Sequence, residues 1–228
     1  MPPEKTESRN FYLPLRCTYL LHTPERLREN PMLVLTLHGH AMTPEEMLQL
    51  TAPLVGEEHY IAAIQGPYQL WVNETGSPRS RVAFHWATKF EAGYSRRLHH
   101  DMILHVLGEV GLPAARTVLL GFSQSVSLNY RFICTHPEAV RGAIGICGGV
   151  PGDWEQGAYQ ESHAAVLHIA TREDEFYPPA VTERYPERLR TRIPNVEFHL
   201  LEGGHRMPSA ARPIIQAWLQ RIVTSVLL

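Results

Sequence analysis

Short apolar runs of strand length alternate along this chain with longer segments whose apolar residues recur at helical spacing. The clearest run covers residues 32–38 (MLVLTLH), in which apolar side chains follow one another almost without interruption. A continuous run of this kind is typical of a strand that is buried on both faces of a parallel sheet. The alternation therefore predicts an α/β protein, with a mostly parallel central sheet and helices on both of its faces.

The predicted elements follow that alternation to the end of the chain. The predicted strands are a pair around residues 11–21, and then residues 32–38, 60–64, 118–120, 143–147, 166–170 and 196–201. Thr43, Pro44 and Glu46 form a helix start with a capping hydroxyl, an early proline and a glutamate three residues after the cap. The later predicted helices are residues 98–110, 124–134, 181–192 and 214–227.

Length and composition limit the class of protein. The 228 residues are 44% hydrophobic and 19% charged, which predicts a single folded domain over residues 1–228. Lys and Arg number 21 against 23 Asp and Glu, so there is no basic field for nucleic acid. Neither a signal peptide nor an apolar stretch of about 18 residues is evident, so we expect a cytoplasmic protein without a membrane span.

Two residue types need separate comment. Cys17, Cys134 and Cys147 are widely spaced and form no CxxC pair, so neither a disulfide framework nor a zinc site is indicated, and each is expected to be a small buried hydrophobe. The chain also contains 13 histidines. That surplus requires an explanation.

A strand-to-helix junction carries the strongest chemical signal. Residues 121–125 (GFSQS) lie between a predicted strand and a predicted helix, and they are close to the nucleophile elbow G-x-S-x-G. In that elbow a strained turn exposes the serine hydroxyl, here that of Ser123, to a positioned base. The alternative is an ordinary junction in which Ser123 caps the helix.

The downstream sequence favours the elbow. Asp174 follows the strand predicted at residues 166–170, and His205 follows the next strand after two glycines. The chain order Ser, Asp, His is the order that a hydrolase of this kind requires. In such a triad His205 is the general base toward Ser123, and the carboxylate fixes the tautomer of the imidazole.

Four motifs together resemble the phospholipase/carboxylesterase group of the α/β-hydrolase superfamily, which includes acyl-protein thioesterases. They are residues 37–41 (LHGHA), 121–125 (GFSQS), 172–178 (REDEFYP) and 203–208 (GGHRMP). The resemblance implies an α/β-hydrolase fold, and 228 residues leave no room for a large cap domain. It also implies Ser123 as nucleophile, Asp174 as acid and His205 as base, with the backbone N–H groups of His40 and Gln124 as the oxyanion hole.

The chain departs from the family pattern in two places. Ser125 stands where the family usually has glycine, and the loop after His40 lacks the usual glycine–aspartate run. Three other carboxylates are rivals of Asp174 for the role of the acid. Two of them are its neighbours, Glu173 and Glu175. The third is Asp153, because some hydrolases carry the acid after the preceding strand.

The histidines near residue 38 allow two interpretations. We expect His38 to brace its loop through hydrogen bonds. Alternatively, His38 and His40 form an H-x-H pair that binds a metal, with His99, His100 and Asp101 as further ligands.

The long segment 65–94 is rich in aromatic residues, and segments of this length are usually functional. We expect Trp71, Trp86, Trp154 and Phe176 to line the acyl or alcohol pocket, although they could instead cover the edge of the sheet.

The sequence therefore predicts a serine esterase or thioesterase that forms an acyl-enzyme on small to medium acyl groups, without a metal or organic cofactor. Its expected partner is a small-molecule ester or thioester, and a homodimer is compatible with the family resemblance. The alternatives are a non-catalytic hydrolase-fold protein that binds a ligand, and a metal-dependent hydrolase that uses His38 and His40.

Overall fold

A seven-stranded sheet and a separate two-stranded hairpin form the framework of the protein. The computed structural model describes residues 7, 9, 11–25, 30–56, 58–73, 80–86 and 92–224. The strands are β1 (Tyr19–His22), β2 (Leu33–Leu37), β3 (Tyr60–Ile64), β4 (Tyr68–Asn73), β5 (Ser80–His85), β6 (Thr117–Phe122), β7 (Gly142–Ile146), β8 (Ala165–Thr171) and β9 (Val196–Leu201). The helices are α1 (Pro44–Val55), α2 (Ala92–Val110), α3 (Gln124–Thr135), α4 (Pro179–Thr182), α5 (Tyr185–Arg190) and α6 (Ala211–Thr224).

The large sheet has the strand order β1-β3-β2-β6-β7-β8-β9. The edge strand β1 pairs antiparallel with β3, and the other neighbours pair in parallel. The carboxyl ends of β2, β6, β7, β8 and β9 therefore lie side by side along one edge of the sheet, the edge that runs across the strand ends. In open parallel sheets this is the edge where functional groups gather.

Both faces of the sheet are buried, as the continuous apolar runs predict. In β2, Leu33, Leu35 and Leu37 belong to one hydrophobic cluster, while Val34 belongs to the cluster on the other face. Residues of α2 and α3 complete the first cluster, and residues of α1 and α6 complete the second. The prediction of a mostly parallel sheet between two helical layers is confirmed.

The start of α1 also agrees with its sequence. The Thr43 hydroxyl accepts a hydrogen bond from the Glu46 N–H at 3.2 Å, and the Glu46 carboxylate accepts one from the Thr43 N–H at 2.8 Å. This reciprocal capping box satisfies two N–H groups that the helix itself leaves free.

The structure differs from the predicted elements in three places. Residues 11–18 form no strand, so this region contributes the single strand β1, which pairs with β3, where two strands were expected. The segment 65–94 contains the hairpin of β4 and β5, and α2 begins at Ala92 instead of residue 98. Residues 181–192 form parts of two short helices, because Pro186 has no N–H and is tolerated only in the first turn of a helix.

Within the described residues, no helix combines the length and the apolar character needed to cross a membrane.

Burial explains part of the histidine surplus. His38, His99 and His168 are fully buried, and His100, which follows His99 in α2, is half-buried. Loss of contact with water lowers the pKa of His38, His100 and His168 to about 4, and it also lowers the pKa of His99. The fold therefore holds these imidazoles in their neutral form.

We predict from these pKa values that acid weakens the fold. The folded protein resists protonation of these histidines, whereas in the unfolded chain they protonate near pH 6.5. The unfolded chain thus binds more protons as the pH falls from about 6.5 to about 4, and the free energy of unfolding decreases over that range. Each such histidine contributes up to about 1.4 kcal/mol per pH unit. Urea unfolding at a series of pH values from 7 to 5 measures this slope.

Two variants of one contact refine the test. The Tyr130 hydroxyl and His168 Nδ1 share a hydrogen bond of 2.7 Å. His168→Gln should reduce the pH slope, since a titrating group is gone. Tyr130→Phe should lower stability at every pH and leave the slope nearly unchanged. A free energy of unfolding that stays constant between pH 6.5 and 5 would show that the folded protein does not resist protonation of these histidines.

Candidate active site

Ser123 lies in a strained turn between β6 and α3. Its backbone has φ 54° and ψ −114°, in the left-handed region that side chains other than glycine rarely adopt. The Ser123 N–H donates to the Ile146 carbonyl at 3.0 Å, which ties the turn to the end of β7. A Cβ at Gly148 would lie 2.5 Å from the Ser123 carbonyl oxygen, so glycine is needed there for the turn to fit. These features match the elbow that residues 121–125 predict.

The loops after β8 and β9 bring Asp174 and His205 to this turn. Ser123 Oγ is 2.9 Å from His205 Nε2, and His205 Nδ1 is 2.9 Å from Asp174 Oδ2 and 3.1 Å from Oδ1. With Nδ1 protonated, the imidazole donates to the carboxylate and accepts from the serine hydroxyl. The three side chains thus form one continuous hydrogen-bonded chain.

The carboxylate of Asp174 is held from a second side. Its Oδ1 accepts hydrogen bonds from the N–H groups of Phe176 and Tyr177, each at 2.9 Å, and its side chain is fully buried. The neighbouring Glu173 and Glu175 are exposed. Asp174 is therefore the carboxylate of this loop that the fold directs at His205.

Asp153, the rival acid after β7, serves another network. Its carboxylate accepts from Arg96 and Arg131 at 2.8 Å and from the Tyr159 hydroxyl at 2.9 Å. Burial acts to raise the pKa of Asp153, but the hydrogen bonds from Arg131 and Tyr159 outweigh it and lower the pKa. Asp153 thus joins its own loop to α2 and α3.

Two side chains to which the sequence assigned no role in the site hold the His205 loop in place. The Thr171 hydroxyl donates to the Gly204 carbonyl at 2.9 Å, and the Cys147 thiol donates to the Arg206 carbonyl at 3.3 Å. Burial raises the pKa of the Cys147 thiol to about 11, so it remains a donor. His205 therefore lies between two fixed carbonyl groups. Only the buried character of Cys147 could be predicted from sequence.

Aromatic rings surround the imidazole of His205. The ring centroids of Phe122, Phe176 and Tyr177 lie 5.1, 4.8 and 5.8 Å from that of His205. Such packing restricts the rotation of the imidazole and leaves its two nitrogens directed at Ser123 and Asp174.

His38 braces the loop after β2, as predicted. Its Nδ1–H donates to the Gly39 carbonyl at 2.7 Å, and its Nε2 accepts from the Gly66 N–H at 2.9 Å. The Trp86 indole donates to the His38 carbonyl at 2.8 Å. Both ring nitrogens of His38 are therefore engaged within the protein, which leaves no lone pair for a metal.

The other proposed ligands do not join His38. His99 is fully buried with its ring centroid 5.5 Å from that of Trp86, whereas Asp101 is exposed. Within the described part of the chain, no three His, Cys, Asp or Glu side chains are grouped so that they could hold a metal ion.

The backbone N–H groups predicted for the oxyanion hole follow adjacent strands. Gln124 is the first residue of α3, where an N–H has no acceptor within the helix. His40 lies three residues beyond the end of β2, and β2 pairs directly with β6. The Gln124 side chain also links the start of α3 to the residue after β5, since its Oε1 accepts a hydrogen bond from the Trp86 backbone N–H at 3.0 Å.

The four predicted pocket aromatics lie in different surroundings. Phe176 is 67% exposed beside His205, and Trp71 in β4 is equally exposed. Trp86 and Trp154 are fully buried, and the Trp154 indole donates to the Arg188 carbonyl at 2.8 Å. A buried indole lines no open cleft, so the structure does not support Trp86 and Trp154 as pocket residues.

Comparison with solved structures supports the α/β-hydrolase fold. Bacillus cereus carboxylesterase superposes with a TM-score of 0.70 at 18% identity over 90% of this chain and 94% of that chain. Esterase PE8 gives 0.74 at 19% identity over 91% and 100% of the two chains. Arabidopsis thaliana SOBER1 gives 0.64 at 15% identity over 85% and 99%. At these identities the likeness establishes the fold alone.

Family assignment rests on sequence. Among curated proteins, none matches the chain. The family model described as Phospholipase/Carboxylesterase matches residues 89–223, which is more than half of the chain and includes Ser123, Asp174 and His205. The chain has the α/β-hydrolase fold and belongs to the phospholipase/carboxylesterase family.

Proposed function

We propose that this protein is a serine hydrolase that cleaves carboxylic esters or thioesters of small to medium acyl groups through an acyl-enzyme on Ser123. Membership of the family supports a hydrolase of the esterase type. The observation that carries the proposal is the 2.9 Å separation between Ser123 Oγ and His205 Nε2, continued at 2.9 Å from His205 Nδ1 to Asp174.

The proposed reaction proceeds in two halves. Ser123 Oγ attacks the carbonyl carbon while its proton passes to His205 Nε2. The tetrahedral intermediate then expels the alcohol or thiol, which receives that proton, and the acyl group remains on Ser123. In the second half a water molecule attacks the acyl carbon while its proton passes to His205 Nε2, and the bond to Ser123 Oγ then breaks as His205 returns that proton to Oγ, which releases the acid. Asp174 holds the Nδ1–H tautomer and stabilises the imidazolium in both halves.

The negative charge of each tetrahedral intermediate requires hydrogen-bond donors. We assign this role to the N–H groups of Gln124 and His40, which follow β6 and β2 at the edge of the sheet where Ser123 lies. Donors fixed by the backbone stabilise an oxyanion more than a neutral carbonyl. Loss of one such donor typically slows the reaction about 10²–10³-fold.

Two alternatives fit the site less well. A non-catalytic ligand-binding protein has no need for an aligned serine, histidine and buried carboxylate. A metal-dependent hydrolase that uses His38 is disfavoured, because the Gly66 N–H and the Gly39 carbonyl engage its two ring nitrogens.

Of the four aromatic residues predicted to line the substrate pocket, we propose Phe176, which is exposed beside His205. Trp71 remains a candidate for the same role. The cytoplasmic location and a homodimer remain predictions.

Labelling with a fluorophosphonate tests the nucleophile. The wild-type protein should react with one equivalent of probe, because the activated Ser123 Oγ attacks phosphorus. Ser123→Ala should lose both labelling and hydrolysis of nitrophenyl acetate. Ser127→Ala is the matched control, since Ser127 also lies in the first turns of α3 and should keep both activities. If wild-type protein is unlabelled and inert on activated esters, the proposed function is wrong.

Two aspartate variants test the assignment of the acid. Asp174→Asn should lower kcat by about 10⁴-fold, because an amide does not hold the required tautomer of His205. Asp153→Asn should lower the free energy of unfolding by about 1 kcal/mol, given its partly solvent-open ion pairs, and leave kcat nearly unchanged. Steady-state kinetics and urea unfolding of both variants provide the comparison. The opposite pattern, with Asp153→Asn inactive and Asp174→Asn active, rejects the assignment.

A chain-length series tests the substrate class. Nitrophenyl esters from acetate to dodecanoate, assayed beside an acyl thioester, should give the highest kcat/KM for short and medium chains. Phe176→Ala should change the chain-length preference more than it changes the rate with acetate, because the ring offers apolar surface only to a longer substrate. Maximal activity on the dodecanoate is the result that contradicts this substrate class.

A further inference from the structure

Ser125 occupies the elbow position where the family usually has glycine. Its side chain is fully buried. Its hydroxyl donates to the Leu37 carbonyl at 2.7 Å and accepts from the Phe122 N–H at 3.0 Å; the Phe122 carbonyl lies at 3.0 Å as well. The hydroxyl therefore joins the last residue of β2 to the last residue of β6.

This link begins where the direct pairing of the two strands ends. The register between β2 and β6 runs from Leu33 opposite Thr117 to Leu37 opposite Gly121. Beyond that pair β2 passes into the loop that contains His38 and His40, while β6 continues to Phe122 and then turns at Ser123 into α3. The Ser125 hydroxyl bridges the Leu37 carbonyl and the Phe122 N–H at this point, so the strands remain connected for one step longer.

Each bridged residue leads directly into one of the proposed oxyanion donors. Leu37 is followed by His38, Gly39 and His40, and Phe122 is followed by Ser123 and Gln124. A change in the separation between Leu37 and Phe122 would therefore move the His40 N–H relative to the Gln124 N–H. A glycine at position 125 offers no atom that could make this bridge.

The surroundings have room for the hydroxyl because residue 121 is glycine. A Cβ at Gly121 would lie 3.1 Å from Ser125 Oγ and 2.8 Å from Asn129 Nδ2, which is too close for both side chains to keep their places. The serine is thus accommodated by its neighbours in β6 and α3.

We propose that Ser125 is a positioning residue whose hydroxyl sets the separation of the two oxyanion donors, His40 N–H and Gln124 N–H. The inference rests on the proposed esterase function and specifies how that site is organised. Ser125 does not contact the reacting atoms. It acts through the two loops that it joins.

Ser125→Ala removes the bridge and should lower kcat on nitrophenyl acetate by about 10- to 100-fold, with KM within about twofold of wild type. Small displacements of groups that stabilise a transition state cost rates of this order. Affinity for a trifluoromethyl ketone, whose adduct carries an oxyanion, should fall by a similar factor. The midpoint of the pH profile of kcat/KM should stay at its wild-type value, because the hydrogen bonds of His205 are unchanged.

Two further variants complete the experiment. Ser125→Gly restores the usual residue of the family and should show the same loss, and it carries the test if Ser125→Ala does not fold. Thr51→Val is the matched control: Thr51 is fully buried, and its hydroxyl is hydrogen-bonded to that of Thr36 in β2 at 3.0 Å. It should lower the melting temperature but keep kcat.

The results separate this inference from the proposed function. An inert, unlabelled wild-type protein overturns both. With an active wild type, the inference is wrong if the folded Ser125 variants keep kcat within twofold, or lose no more than Thr51→Val. It is also wrong if their pH midpoint shifts while the affinity for the ketone is retained, since Ser125 would then act through His205.

Discussion

The left-handed backbone of Ser123 is the constraint on which the rest of the site depends. A non-glycine residue holds this conformation only when its surroundings enforce it. Here the enforcement comes from the hydrogen bond between the Ser123 N–H and the Ile146 carbonyl and from the close approach at Gly148. The strain places the hydroxyl at the edge of the sheet where the loops after β8 and β9 also end, so the same parallel sheet positions all three side chains.

Hydrogen bonds to backbone groups hold the loops that leave this edge. Thr171 and Cys147 donate to the backbone carbonyls on either side of His205. On the β2 side, the Ser125 hydroxyl donates to the Leu37 carbonyl and the Trp86 indole donates to the His38 carbonyl. The N–H groups of Phe176 and Tyr177 hold the carboxylate of Asp174. Loops are normally the least ordered part of a fold. These hydrogen bonds give them the rigidity that electrostatic stabilisation of a transition state requires.

The sequence predicted the elements whose pattern is local and left out those that depend on distant contacts. The buried strands, the capping box of α1 and the junction at residues 121–125 each carry a short, specific pattern. The hairpin β4–β5 was missed because YQLWVN and SRVAFH are neither continuous apolar runs nor strict alternations of apolar and polar residues, even though the side chains of β4 alternate between half-buried and exposed in the structure. Trp86 and Trp154 look like pocket residues in sequence, but their indole N–H groups bond to carbonyls far along the chain. The bridge by Ser125 is likewise a contact across 88 positions.

The residue that carries the covalent intermediate identifies the nucleophile. Protein quenched with acid during turnover of a slowly hydrolysed nitrophenyl ester can be digested and its peptides analysed by mass spectrometry. We predict one acyl group per chain, attached to the peptide that contains Ser123, and its disappearance in Ser123→Ala. An acyl group on another residue, or rapid turnover that proceeds undiminished in Ser123→Ala, would contradict this prediction.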